Sequence, residues 1–252
     1  MRLRIGIIDS LLFNFYHQTE YGVVESHDKS PMYHPNNGIH LLFPFIKLNT
    51  LCQVPPVEII IFSTLAELND SLFYQSLNQH GLSDATVVFT TTEEIATHVT
   101  KMSLNVLLSL DEQLCAVANT HGILSVTPHL NSSYGKLKIL FDCPFFNKQH
   151  VHSNLMALLK VLGYIQKSSH VFCDIGIWVN ERYPLTQQIR DLFYLADCQI
   201  DSVIYDSNCD TQDVLYFLKP HLSFLTEDVL EYSNSVLTVE DKNFLLFNSK
   251  QE

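Results

Sequence analysis

The chain has 252 residues, 46% of them hydrophobic, with 15 Lys and Arg against 27 Asp and Glu and a formal charge of −12. That length supports one large domain or two small ones with a sizeable core. The acidic balance repels a polyphosphate backbone and argues against a nucleic-acid partner.

Apolar runs rich in Ile, Val and Phe mark the strands expected in chain order. The first is "RIGII" at 4–8, followed by a polar insertion at 17–38 that is broken by Pro31 and Pro35 and carries three of the twelve histidines. Insertions of that length cap a site, bind something, or form a surface loop. Next come "EIIIF" (58–62), a helix with Leu and Phe three and four residues apart at 66–81, and "TVVFT" (86–90). After a helix around 97–102 follow "NVLLSL" (105–110), "ILSVT" (123–127) and "LKILF" (137–141). The remainder reads "DIGIWV" (174–179), a helix at 184–198, "SVIYD" (202–206), a helix through Leu218, "HLSFL" (221–225) and "SVLTV" (235–239). Continuous apolar strands separated by amphipathic helices imply an α/β fold with mostly parallel sheets covered on both faces.

The pattern occurs twice. The strand starts Asn105 and His221 are 221 − 105 = 116 residues apart, as are the acidic strand ends Glu112 and Asp228 (228 − 112 = 116). Each half opens on a strand that ends in aspartate, "GIID" at Asp9 and "ILFD" at Asp142. Two similar Rossmann-like lobes are therefore expected, at 1–134 and 135–252, joined near the turn-forming "HLNSSYGK".

No run approaches the roughly 18 apolar residues that span a bilayer, and Asp9 falls where a signal peptide would be apolar. A cytoplasmic chain without a membrane partner is expected. Six scattered cysteines lacking a C-x-x-C pair read as reduced core thiols. The histidines form no chelating spacing, since His150 and His152 would diverge in either a strand or a helix. The single Trp178 reads as a buried strand residue, and no glycine-rich phosphate loop occurs.

Ligands of open parallel sheets bind beyond the carboxyl ends of the strands. There the second half places Asp142, then Asn180 with Glu181 and Arg182, Asp206 to Asp210, and Thr226 with Glu227 and Asp228. Carboxylates converging from separate strands suit Mg²⁺, which takes oxygen ligands and one or two protein carboxylates, and a carboxylate can attack phosphorus. Solvated loop acids give the same pattern.

The order "LKILFD", "IWVNERYPLTQQIRDL", "DTQDVLYFLKPHLSFLTED" resembles the haloacid dehalogenase (HAD) superfamily, and most closely the cytosolic 5'-nucleotidase type 1 family. The first half resembles that family too, through "IDSLLFN", "IIIFSTLAELNDSLFYQSLNQHGL" and "KMSLNVLLSLDE". The resemblance implies HAD-type lobes and Mg²⁺-dependent hydrolysis of nucleoside monophosphates or other small phosphate esters. It makes Asp142 the nucleophile, Asn180 and Arg182 phosphate holders, and Glu227 and Asp228, with Asp142, the metal ligands. It sets Thr211 where the family's phosphate-binding lysine stands and matches Lys101 to a lysine of the first half. The family's second aspartate, its general acid and base, is replaced by Pro144. Asp9, Ser63, Thr64, Lys101, Asp111 and Glu112 form a parallel set of residue types, although Leu11 follows Asp9 where a second aspartate would stand. The implied function is a divergent 5'-nucleotidase with hydrolysis weak or lost. The alternative is a non-catalytic module on the same fold that binds a nucleotide, a protein partner or a second copy of itself.

Overall fold

Strands without a polar face can persist only when both sides are covered, and that is how the apolar runs are found. The computed structural model describes residues 2–15, 23–25, 31–64, 70–129, 136–147, 152–168, 173–180, 183–206, 211–226 and 245–248. Two compact units divide the chain, Met1–Ser132 and Ser133–Glu252. No helix among the described residues is long and apolar enough to cross a membrane.

Unit 1 begins with β1 (Leu3–Ile8), the single-turn helix α1 (Asp9–Leu12), β2 (Phe13–Asn14), β3 (Val23–Glu25), β4 (Pro31–Pro35) and α2 (Ile39–Leu51). It continues with β5 (Val57–Ser63), α3 (Asp70–Gln79), β6 (Thr86–Phe89), α4 (Ile95–Lys101), β7 (Val106–Leu108), α5 (Glu112–Thr120) and β8 (Leu124–Val126). The five main strands are parallel in the order β6-β5-β1-β7-β8. The chain starts in the middle, winds outward one way, then returns beside β1, which makes a doubly wound Rossmann-like sheet with its reversal between β1 and β7. In β5, Ile59 to Phe62 are all buried, as a strand covered on both faces requires. One face packs Ile60, Phe62 and Leu107 against Ile95 and Val99 of α4 and Leu114 and Ala118 of α5.

Unit 2 contains β9 (Leu137–Asp142), a 3-10 turn (Pro144–Asn147), α6 (His152–Lys167), β10 (Cys173–Asn180), α7 (Gln187–Leu195), β11 (Ser202–Asp206), α8 (Thr211–Leu218), β12 (Leu222–Phe224) and β13 (Leu245–Asn248). Its sheet order is β12-β9-β10-β11-β13, with four parallel strands and β13 antiparallel at the edge. The reversal falls between β9 and β12. Residues that share a face alternate along each strand. Leu140, Trp178 and Ile204 therefore pack with Val214 of α8. Phe141 and Phe224, from positions between them, stack at 5.0 Å and join Phe145, Phe146 and Phe193.

The internal repeat is regular. Val57 and Cys173, Thr86 and Ser202, Val106 and Leu222, and Ile95 and Thr211 open corresponding elements, each pair 116 apart (173 − 57, 202 − 86, 222 − 106, 211 − 95). The first strands, which begin at Leu3 and Leu137, are 137 − 3 = 134 apart. The excess of 134 − 116 = 18 residues falls between β1 and α2, where unit 1 carries β2, β3 and β4 as a small antiparallel sheet. The polar stretch 17–38 thus contributes two of these strands.

Nine of the ten expected strands are present, and 235–239 lies outside the described residues. Helix α2 escapes the periodicity reading because Pro44 sits within it and interrupts the ladder of backbone bonds. Cys115, Cys143, Cys173 and Cys198 are buried free thiols, while Cys52 is exposed.

Gly163 lets α6 approach the end of α7 closely, since a Cβ there would lie 2.4 Å from the carbonyl oxygen of Asp197. Gly163→Ala forces backbone to move and is expected to cost about 1–3 kcal/mol. Urea unfolding followed by the fluorescence of Trp178, the chain's single tryptophan, checks this; an unchanged midpoint would show that the helices are not in contact there.

Candidate functional site

In unit 2 the candidate residues gather at the carboxyl edge of the sheet. Asp142 ends β9, Asn180 ends β10 two residues beyond Trp178, the register partner of Asp142, and Thr211 opens α8 after β11. Arg182, Glu227 and Asp228 lie outside the described residues.

Asp142 is 1% exposed, and both of its carboxylate oxygens accept protein hydrogen bonds. Oδ1 accepts from the Phe145 N–H at 2.8 Å, which caps the 3-10 turn as an aspartate caps a helix start. Oδ2 accepts from the Thr226 N–H at 2.5 Å and from its hydroxyl at 2.8 Å. Pro144 suits the first place of that turn, where φ is already set and no N–H is needed. Pro144, Phe145 and Phe146 are all buried, so the chain after Asp142 turns into the aromatic core. The neighbouring Cys143 is no substitute nucleophile: burial, reinforced by the Asp142 carboxylate, pushes its thiol up to about 12.

Thr226 is the residue that the sequence did not disclose as a partner. The resemblance sets an acid near this place, held to Asp142 by a shared cation. Here a hydroxyl and an amide donate directly to the carboxylate. Among the described residues no group of three or more His, Cys, Asp or Glu could hold a metal ion.

In unit 1, Asp9 is 2% exposed and its Oδ2 accepts from Ser63 Oγ at 2.7 Å and the Thr64 N–H at 3.1 Å. Burial outweighs these bonds and holds its carboxyl above the usual aspartate range. Asp111 is occupied as the N-cap of α5, accepting from the Gln113 and Leu114 N–H groups at 2.9 and 3.1 Å. Lys101 does not join these residues. It ends α4 next to Met102, whose carbonyl accepts a hydrogen bond from Arg4 near the start of β1. Asp9 lies five residues further along, about 17 Å at the rise of a strand. At the end of α4, Lys101 is a charge at a helix C-terminus.

The two aspartates that looked equivalent are also out of step. Asp142 pairs with Trp178, and Trp178 is 178 − 62 = 116 residues after Phe62, which pairs with Ile8. The counterpart of Asp142 is thus Ile8, and Asp9 stands one residue later. Asp9 accordingly bonds to the end of β5, whereas Asp142 bonds to the residue two beyond β12.

No protein-family model and no curated protein sequence matches the chain.

Because the folded state favours protonated Asp9, its linked stability is fully present below the ordinary aspartate value of about 3.9 and is lost as pH rises through the higher folded value. Relative to Asp9→Asn, the wild-type protein should therefore be more stable at pH 4 than at pH 7, as read from urea midpoints by circular dichroism. A margin that does not change with pH would show that burial does not perturb Asp9.

Proposed function

We propose that this chain is a divergent 5'-nucleotidase-like protein of HAD type that binds a nucleoside monophosphate or a similar small phosphate ester without hydrolysing it. The observation that carries the loss of turnover is the clamp on Asp142. An attacking carboxylate needs an oxygen lone pair facing phosphorus, and these oxygens face Phe145 and Thr226. The general acid and base implied by the resemblance is also missing at Pro144, a loss that typically costs about 10²- to 10⁴-fold.

The doubly wound order supports a binding role, because open α/β sheets receive ligands outside the strand ends where the order reverses. In unit 2 that edge carries Asp142 and Thr226, with Asn180 on the next strand and Thr211 at the start of α8. Arg182 is the cation that would hold phosphate there. If Mg²⁺ contributes, Glu227 and Asp228 are its protein ligands. The second reading, a protein-interaction module, is favoured by the exposed Tyr194 and Tyr216 on α7 and α8.

Assays with Mg²⁺ over nucleoside monophosphates should give the same background rate for wild type and Asp142→Asn. Turnover that disappears in the variant would restore Asp142 as nucleophile. In thermal melts, AMP, IMP or a deoxynucleotide should raise the midpoint, since ligand at 100 times its dissociation constant adds about 2.7 kcal/mol. No rise at millimolar concentration would favour the interaction reading.

A further inference from the structure

The small antiparallel sheet of unit 1 packs on α3 through aromatic rings, and one imidazole is built into that layer. Phe13 of β2 meets Phe73 of α3 at 5.8 Å, Tyr33 of β4 at 6.4 Å and His80, just past the end of α3, at 5.9 Å. Tyr33 N–H also donates to Ser76 Oγ at 2.8 Å. Within this layer His80 Nε2 is buried and has no hydrogen-bond partner.

A neutral imidazole tolerates that position, because one ring nitrogen can remain an unprotonated lone pair. A protonated ring carries N–H on both nitrogens, and here one of them would be a buried cationic donor with no acceptor. Among the described residues, the elements around His80 offer no compensating acid. Helix α2 carries His40 and an exposed Lys47, β4 carries an exposed His34, and β2 carries no titratable group. On α3, Asp70 stands at the far end and Tyr74 is exposed, and Asp84 is exposed beyond the helix. Asp9 of α1 is engaged by Ser63 and Thr64. Among the described residues none forms an ion pair with His80. Burial, with the nearby His40, holds the His80 ring below the ordinary histidine value.

We propose that His80 is a proton-sensitive latch: neutral, it packs on Phe13 and holds the small sheet against α3, and protonated, it leaves that layer and loosens the sheet. The loosening passes toward Asp9. Asn36, just after β4, donates through its side chain to the Ser10 carbonyl and through its backbone to the Leu12 carbonyl. Gly38 lies so close to α1 that a Cβ would sit 2.1 Å from the Leu11 carbonyl oxygen. The turn that follows β1 is therefore tied to the sheet that His80 secures.

With the folded value lowered, the stability is present above about pH 6.5 and is lost as pH falls from there through the folded value. NMR titration of the intact wild-type protein should show the His80 ring titrating below 6.5, with the Phe13 ring signals moving at the same midpoint. Between pH 7.5 and 5.0 the melting temperature of wild type should fall about 4 °C more than that of His80→Phe. A His80 midpoint at or above 6.5, or Phe13 signals that ignore the titration, would overturn the latch. So would equal falls in the two proteins, the result expected if the ring only fills space. If the variant does not fold, the wild-type titration decides alone.

Discussion

A carboxylate taken out of water has to be satisfied where it stands, and in unit 2 the terms on which Asp142 is satisfied set the local architecture. Its oxygens draw the 3-10 turn after β9 inward through Phe145 and hold the end of β12 through Thr226. Hydrogen bonds to an ionised group contribute about 1.5–3 kcal/mol each, and leaving a buried charge without its partner costs more. The clamp joins β9 to the neighbouring strand β12 across the point where the sheet order reverses. It also directs Phe145 and Phe146 onto Phe141 and Phe224. One side chain thus anchors a turn and two strands.

Unit 1 solves the same problem differently. Asp9 lies one register position later and leans on the second strand of its sheet, through Ser63 and Thr64. The donors at Asp9 are the Ser63 hydroxyl and the backbone amides of Thr64 and Ser10, and burial there prevails enough to favour the protonated acid. The repeat is thus exact in spacing for the second to fourth strands and inexact at the first, where unit 1 inserts its small antiparallel sheet. That difference gives unit 1 an aromatic layer with a histidine inside it.

Much of this organisation is legible in the sequence because parallel strands buried on both faces must be apolar throughout. Runs such as "EIIIF" and "LKILF" have no other use. The 116-residue repeat follows from the same runs. Three things were not legible. The short strands β2 to β4 are polar on one side and two to five residues long, too brief for a period to show. The one-residue slip between Asp9 and Asp142 is invisible until the strands are paired, since both read as an aspartate after four apolar residues or three. The partner of Asp142 is 84 residues away, and only the placement of β12 beside β9 brings Thr226 to it. The sequence could place Asp142 at a strand end, while its hydrogen-bond partners emerge only from the paired strands.

The central claim is that Thr226 satisfies Asp142 directly. A double-mutant cycle of Asp142→Asn and Thr226→Val, read by urea unfolding with Trp178 fluorescence, tests it most directly, because Trp178 lies in β10 beside Asp142. The account predicts a coupling energy of about 1–3 kcal/mol between the two positions. Additive effects, with no coupling, would contradict it and leave the Asp142 carboxylate free for another partner.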